Sequence, residues 1–209
     1  RGGGHFSGRL TAALVAAGAI VIPALREKGI YIGTCISRIG QADISEIPTD
    51  REGLLAVAES DYGLTESNAV EMMKNVIEKA RELSDSVGGV LETAIIGLPT
   101  GLGEPWFDGV ESQIARAVFG IPAIKSVAFG AKDIETMRGS RANDAFTVKN
   151  GEIVTATNNS GGIQGGITNG MPVVFRLALK PTPSIAREQH TVRLSTMENE
   201  NLSITGRHD

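Results

Sequence analysis

Asn158-Asn159-Ser160-Gly161-Gly162-Ile163-Gln164-Gly165-Gly166-Ile167-Thr168-Asn169-Gly170 is the stretch on which the reading of this chain turns. Five glycines and three asparagines in thirteen residues exclude a helix and an ordinary strand. Glycine accepts positive φ without steric cost and lets a ligand approach the bare backbone. The run is too long for a hairpin turn, so it reads as a ligand-facing loop, with a set of glycine turns between two strands as the alternative.

The flanks of the run are strands. Glu152 to Thr157 leads into it and Met171 to Lys180 leads out. Alternation in the second strand places Val173, Phe175, Leu177 and Leu179 on one face and Arg176 and Lys180 on the other. Upstream, Gly8 to Lys28 reads as a helix capped by Ser7 and stopped by Gly29. It is apolar nearly all round, which predicts burial on several sides. Ile30 to Ile39 is a strand, Arg51 to Glu59 a short helix, and Thr65 to Ser84 an amphipathic helix with Val70, Met73, Ile77 and Ala80 inward. Gly89 to Leu98 is a strand and Pro99 to Pro105 a glycine-rich turn. Phe107 to Val118 is a helix with Val110, Ile114 and Val118 inward, and Ile121 to Phe129 a strand. Asp133 to Asn150 is irregular. Short strands near Thr191 to Leu194 and Leu202 to Ile204 finish the chain. Mixed helices and strands with short connections predict an α+β fold, with largely antiparallel sheets, in a single domain over 1–209.

Composition narrows the function. The chain has 209 residues, 41% of them hydrophobic and 21% charged, which is globular. The net charge of −4 argues against nucleic-acid binding. The apolar stretch Leu10 to Leu25 is flanked by Arg9, Arg26, Glu27 and Lys28 and interrupted by Pro23, so the expectation is a core helix and no membrane. No signal-peptide pattern opens the sequence, so a cytoplasmic location is expected. The single cysteine, Cys35, excludes an intrachain disulfide and reads as a small core residue. Three scattered histidines give no metal-site spacing.

Three further segments could carry chemistry. Arg1 to Arg9 runs into a helix start, which suits an anion site as well as it suits a frayed terminus. In Lys180-Pro181-Thr182-Pro183-Ser184 the prolines fix the backbone while one cation and two hydroxyls are offered. That suits a phosphate, and equally a rigid turn. Gly206-Arg207-His208-Asp209 joins guanidinium, imidazole and carboxylate, able to hold an anion and shuttle a proton; alone it reads better as a polar chain end.

Taken in order, these segments resemble the chorismate synthase family. The resemblance rests on Gly2-Gly3-Gly4-His5-Phe6-Ser7-Gly8-Arg9 with Val15 to Ile20, on Gly103-Glu104-Pro105-Trp106-Phe107-Asp108, and on Ile121-Pro122-Ala123-Ile124-Lys125. It continues through Arg138-Gly139-Ser140, Asn143-Asp144, the glycine run, Leu179-Lys180-Pro181-Thr182 and Gly206-Arg207-His208-Asp209. The resemblance implies an α/β sandwich assembled as a homotetramer. It implies a reaction dependent on reduced FMN, the 1,4-anti elimination of phosphate from 5-enolpyruvylshikimate 3-phosphate to give chorismate. It places His5, Phe6, Ser7, Pro122, Ala123, Gly165, Lys180, Pro181, Thr182, Pro183, Ser184 and Arg207 at the flavin, Arg9 and Arg207 at the substrate, and Asp209 as a catalytic carboxylate. The commoner family motif has arginine and serine where His5 and Phe6 stand, and glutamate where Leu10 stands. The family's Gly-Glu-Ser-His-Gly and Arg-Pro-Gly-His-Ala-Asp motifs do not occur here. The expectation is therefore a fragment, with little or no turnover alone.

Overall fold

A computed structural model describes residues 4–64 and 66–204. Its centre is a five-stranded antiparallel sheet in the order β2-β1-β3-β9-β4. The strands are β1 (Tyr31–Ile39), β2 (Ala42–Asp43), β3 (Gly89–Ile96), β4 (Ile124–Phe129) and β9 (Val173–Leu179). Three hairpins complete the strands: β5 (Phe146–Lys149) with β6 (Glu152–Thr155), β7 (Ile163–Gln164) with β8 (Ile167–Thr168), and β10 (Gln189–Arg193) with β11 (Glu198–Leu202). The helices are α1 (Thr11–Glu27), α2 (Arg51–Glu59), α3 (Ala69–Glu82), α4 (Val110–Val118) and the one-turn α5 (Gly139–Ala142). The α+β class with antiparallel sheets is as the sequence predicts.

The alternation read in β9 holds. Val173, Phe175 and Leu177 are buried, and with Ile124 and Ile163 they form one core that Val110, Ile114 and Val118 of α4 cover. A second core joins Ile39, Ile44, Leu64, Ala69 and Met73, with Val70 and Val76 of α3 packed on it. The inward face of α3 is as expected at Val70 and Met73 but not at Ile77, which is 44% exposed, while Ala69 is fully buried. The Thr65 start expected for this helix lies outside the described residues. Helix α2 begins at an Asp50 cap, whose carboxylate accepts the Gly53 N–H at 2.9 Å. Its Leu54 lies over Gly33 of β1, where a Cβ would come within 2.7 Å of the leucine side chain. Cys35, one turn of the pleat along, is buried as expected, and burial pushes its thiol pKa up.

The expectation for α1 is overturned. None of its residues is buried, and Leu14, Val15, Ile20 and Val21 are exposed. Gly8–Glu27 is long and apolar enough, by length and composition, to cross a membrane. An all-round apolar pattern states what a helix needs around it, and the described residues of this chain do not supply that cover. Ser7 caps a 3₁₀ turn, Gly8–Leu10, ahead of α1. The helix expected from Phe107 is a 3₁₀ turn, Trp106–Asp108, followed by α4. The strand expected from Ile121 begins at Ile124, because Ala123 adopts φ 73°. The stretch read as irregular to Asn150 contains β5. Asn150 and Gly151 have φ 53° and 83°, the paired positive angles of a tight hairpin turn.

The glycine run is held by one carboxylate. Asp144, 6% exposed, accepts the Thr157 hydroxyl at 2.6 Å, the Asn159 N–H at 2.7 Å and the Ser160 N–H at 2.8 Å. Burial alone pushes the Asp144 carboxyl up, but these hydrogen bonds outweigh it and hold the group below its ordinary value of 3.8. Asn158 continues the lattice, accepting the Gly162 N–H and donating to the Pro172 carbonyl, both at 2.8 Å. Gly161 then meets Gly130 backbone to backbone, and a Cβ on Gly130 would lie 1.9 Å from the Asn159 carbonyl. No other residue fits there.

Two outcomes are expected. Leu54→Ala lowers the unfolding free energy in urea by about 2–5 kcal/mol, since it opens a cavity against Gly33 that backbone cannot fill. Asp144→Asn costs about 1–3 kcal/mol at pH 7. A depressed folded-state pKa means that this stabilisation is complete above the unfolded value of about 3.9 and is lost as pH falls through the folded value. The variant and the parent therefore converge in stability under acid; a constant gap from pH 7 to below pH 3 would contradict the assignment.

Candidate functional site

At the β4–β9 edge two of the sequence-predicted segments meet. The Lys180 N–H donates to the Ala123 carbonyl at 3.0 Å. The strained φ of Ala123 aims that carbonyl, and non-glycine residues persist in such a conformation only where their surroundings fix it. Lys180 itself is exposed, beyond the end of β9. The next residues turn under α3: the Ser86 hydroxyl donates to the Thr182 carbonyl at 2.7 Å, and Thr182 and Ser184 line a cleft of about 610 Å³ with Ala80, Arg81 and Ser84. Pro122, Ala123 and the 180–184 stretch thus form one neighbourhood.

Gly165 occupies the tip of the β7–β8 hairpin. Open space surrounds the position a Cβ would take, so the backbone there is bare. The hairpin is fastened to the loop after β3. The Thr168 hydroxyl, 1% exposed, donates to the Pro99 carbonyl at 2.7 Å and accepts the Leu102 N–H at 2.9 Å. The Val110 N–H donates to the Gly166 carbonyl at 2.8 Å, and a Cβ on Gly103 would lie 2.3 Å from that same oxygen. The Gly103 to Gly109 loop therefore lies directly against the ledge at Gly165 and Gly166. The Asn169 Nδ2 is buried without a hydrogen-bond partner among the described residues.

Among the described residues no hydrogen bond links Gly165 to Ala123 or Lys180, and the remaining predicted positions are not drawn together either. His5 and Arg9 are exposed near the start of α1, and the Ser7 hydroxyl accepts the Arg9 N–H at 3.2 Å. Among the described residues, no hydrogen bond links them to Ala123, Gly165 or Lys180. The Phe6 side chain, Arg207 and Asp209 lie outside the described residues. Arg176 does not share an open face with Lys180. It is ion-paired to buried Glu92 at 3.5 Å and donates to the carbonyls of Gly130 and Ala131 at 2.6 and 3.0 Å. Its charge is consumed in holding β9 to β3 and to the loop after β4. A cleft of about 340 Å³ beside it contains Arg38, already paired with Asp43 at 2.8 Å. The same cleft is lined by Lys132, Asp133 and Glu135, so charges of both signs face it. Among the described residues no group of three or more His, Cys, Asp or Glu is placed to hold a metal.

Sequence reading gave Asp144 and Trp106 no role. Asp144 is signalled only by an acidic residue preceding an asparagine-rich loop. Trp106 is signalled only by an aromatic pair, Trp106-Phe107, inside a glycine- and proline-rich turn.

Known proteins place this geometry. The chain matches the chorismate synthase family over residues 1–209. It is 45% identical over 210 residues to the chorismate synthase of Thermococcus kodakarensis, all of this chain covering 58% of that protein. To the chorismate synthase of Dehalococcoides mccartyi strain 195 it is 43% identical over 210 residues, covering all of this chain and 57% of the relative. A solved structure described as a crystal structure of chorismate synthase superposes with a TM-score of 0.77 at 36% identity, covering 85% of this chain and 57% of that one. The chain thus spans somewhat under three-fifths of the length of these relatives. By sequence over its whole length and by fold, it belongs to the chorismate synthase family.

Proposed function

We propose that this chain forms part of a chorismate synthase active site, which binds reduced FMN and 5-enolpyruvylshikimate 3-phosphate and eliminates phosphate to give chorismate. The observation that carries the assignment is the hydrogen bond between Lys180 and Ala123, which joins two segments the family resemblance assigns to the flavin. The residues present fit such a group. Gly165 offers bare backbone with open space over it, Lys180 an exposed cation, and Thr182 and Ser184 two hydroxyls beside the 610 Å³ cleft.

When bound, the reduced flavin supplies electron density to the breaking C–O bond. The work of this chain is to bind and orient. Lys180 meets anionic charge, and Pro181 and Pro183 keep the Thr182 and Ser184 hydroxyls in a fixed turn, so little conformational freedom is lost on binding. The Asp144 lattice keeps the glycine run from collapsing onto its own open side. Arg9 and Arg207 are proposed at the substrate, His5, Phe6, Ser7, Pro122 and Arg207 at the flavin, and Asp209 as the carboxylate that moves the ring proton. A departing phosphate is stabilised by cations held in place beforehand. The proposal includes one domain over 1–209, a cytoplasmic location and a homotetramer as in the family. The bare faces of α1 are then available to polypeptide beyond these 209 residues and to neighbouring subunits.

Anaerobic titration of the chain with reduced FMN is expected to show saturable binding that Lys180→Ala weakens by roughly 1.5–3 kcal/mol. Unchanged affinity would remove Lys180 from the site, and absence of binding would contradict the flavin reading. Where chorismate formation is followed by absorbance, Asp209→Asn lowers the rate far more than the flavin affinity. Equal losses in both would sink a proton-relay role.

A further inference from the structure

Trp106 and Phe107 are each 85% exposed, next to one another at the tip of the Gly103 to Gly109 loop. Their rings meet edge to face at 6.4 Å. Trp106 holds φ 70°, a conformation a bulky side chain rarely adopts. The tip is not loosely hung. The Glu104 N–H donates to the Asp108 carbonyl at 3.2 Å and pinches the loop, and the Gln113 side chain donates to that same carbonyl at 2.8 Å. Two large apolar rings are thus presented to solvent on a braced, strained support, beside a glycine ledge that has no side chain of its own.

Resting on the flavin reading above, we infer that Trp106, backed by Phe107, is an aromatic wall of the site and packs against the flavin ring system bound at the Gly165 ledge. Bare backbone at Gly165 admits a planar ring, and an adjacent indole supplies the apolar and quadrupolar contact that a planar heteroaromatic favours. The two features are fixed relative to one another by backbone contact, since Gly109 and Gly166 approach so closely that a Cβ on either would lie 3.0 Å from the other's Cα. Phe107 limits the freedom of the indole through the edge-to-face contact. The left-handed φ at Trp106 has no counterpart need in the core, because neither ring is buried there. The strain is accounted for if the ring must stand beside the ledge.

The test uses the fact that Trp106 is the one tryptophan of the chain. FMN binding is measured by equilibrium dialysis, and accessibility of the indole by acrylamide quenching of its emission, with and without saturating FMN. The expected results are protection of Trp106 from acrylamide when FMN is bound, a loss of FMN affinity of about 3- to 10-fold in Trp106→Ala, and retention within about twofold in Trp106→Phe. FMN binding by dialysis with unaltered acrylamide access and full affinity in Trp106→Ala overturns the inference while leaving the flavin reading in place. Protection that depends on protein concentration and not on FMN also overturns it, assigning the rings to a contact between copies. No FMN binding by dialysis overturns both. Because both rings are solvent-exposed, Trp106→Ala is expected to unfold at the same urea concentration as the parent; Phe107→Ala, with a smaller loss of affinity, is the independent second variant.

Discussion

The Asp144 carboxylate accepts a hydroxyl and two backbone N–H groups from the segment that follows β6, and the shape of the glycine run depends on it. A run of glycines has the largest conformational entropy to lose on ordering, so a fixed shape needs an anchor that is worth more than one ordinary hydrogen bond. An anionic acceptor facing several donors provides it. From that anchor the order spreads by contact. Asn159 and Ser160 are set by the carboxylate, Asn158 ties the run to Pro172, Gly161 locks against Gly130, and Thr168 fastens the hairpin to Pro99 and Leu102.

The central sheet supplies the second constraint. Glu92 and Arg176 face each other across β3 and β9, and Arg176 also satisfies two carbonyls of the loop after β4. Removing one member of a buried pair leaves the other uncompensated, which disfavours any register that separates Glu92 from Arg176. Register fixes where β9 ends, and therefore where Lys180 emerges against Ala123. The two constraints act at opposite ends of the same strand, since Val174 donates to Gly161 at 3.2 Å and Lys180 to Ala123 at 3.0 Å.

What the sequence made legible were the features governed by local periodicity. The alternation of β9, the inward face of α4 and the punctuation by glycine all appear in the structure where they were read. The failures have physical causes. The pattern of α1 is correct as a pattern, but burial is a property of the surroundings, and the described residues of this chain leave the helix bare. In α3 Val70 and Met73 pack inward as read, while Ile77 and Ala80 line the cleft beside Thr182 and Ser184, a neighbour that the periodicity of one helix does not reveal. Alternation placed Arg176 with Lys180 on one face of β9, but it does not reveal a buried Glu92 on a neighbouring strand. Asn150-Gly151 was a legible hairpin signal that the polar surroundings obscured. Within the site, the stretch from Lys180 was legible from its cation, hydroxyls and prolines and Ala123 through family resemblance alone; their meeting was not, because it depends on strand pairing across the whole sheet.

The account stands most directly on whether the glycine run is an ordered scaffold. Amide hydrogen exchange of Asn159, Ser160 and Gly162, measured at pH 7 in the parent and in Asp144→Asn, addresses this without a ligand or an assay. The account predicts that these three amides exchange far more slowly than open chain in the parent, and that Asn159 and Ser160 lose most of that protection in the variant while amides of β3 keep theirs. Open-chain exchange at all three positions in the parent would contradict it, since the ledge at Gly165 would then have no fixed support.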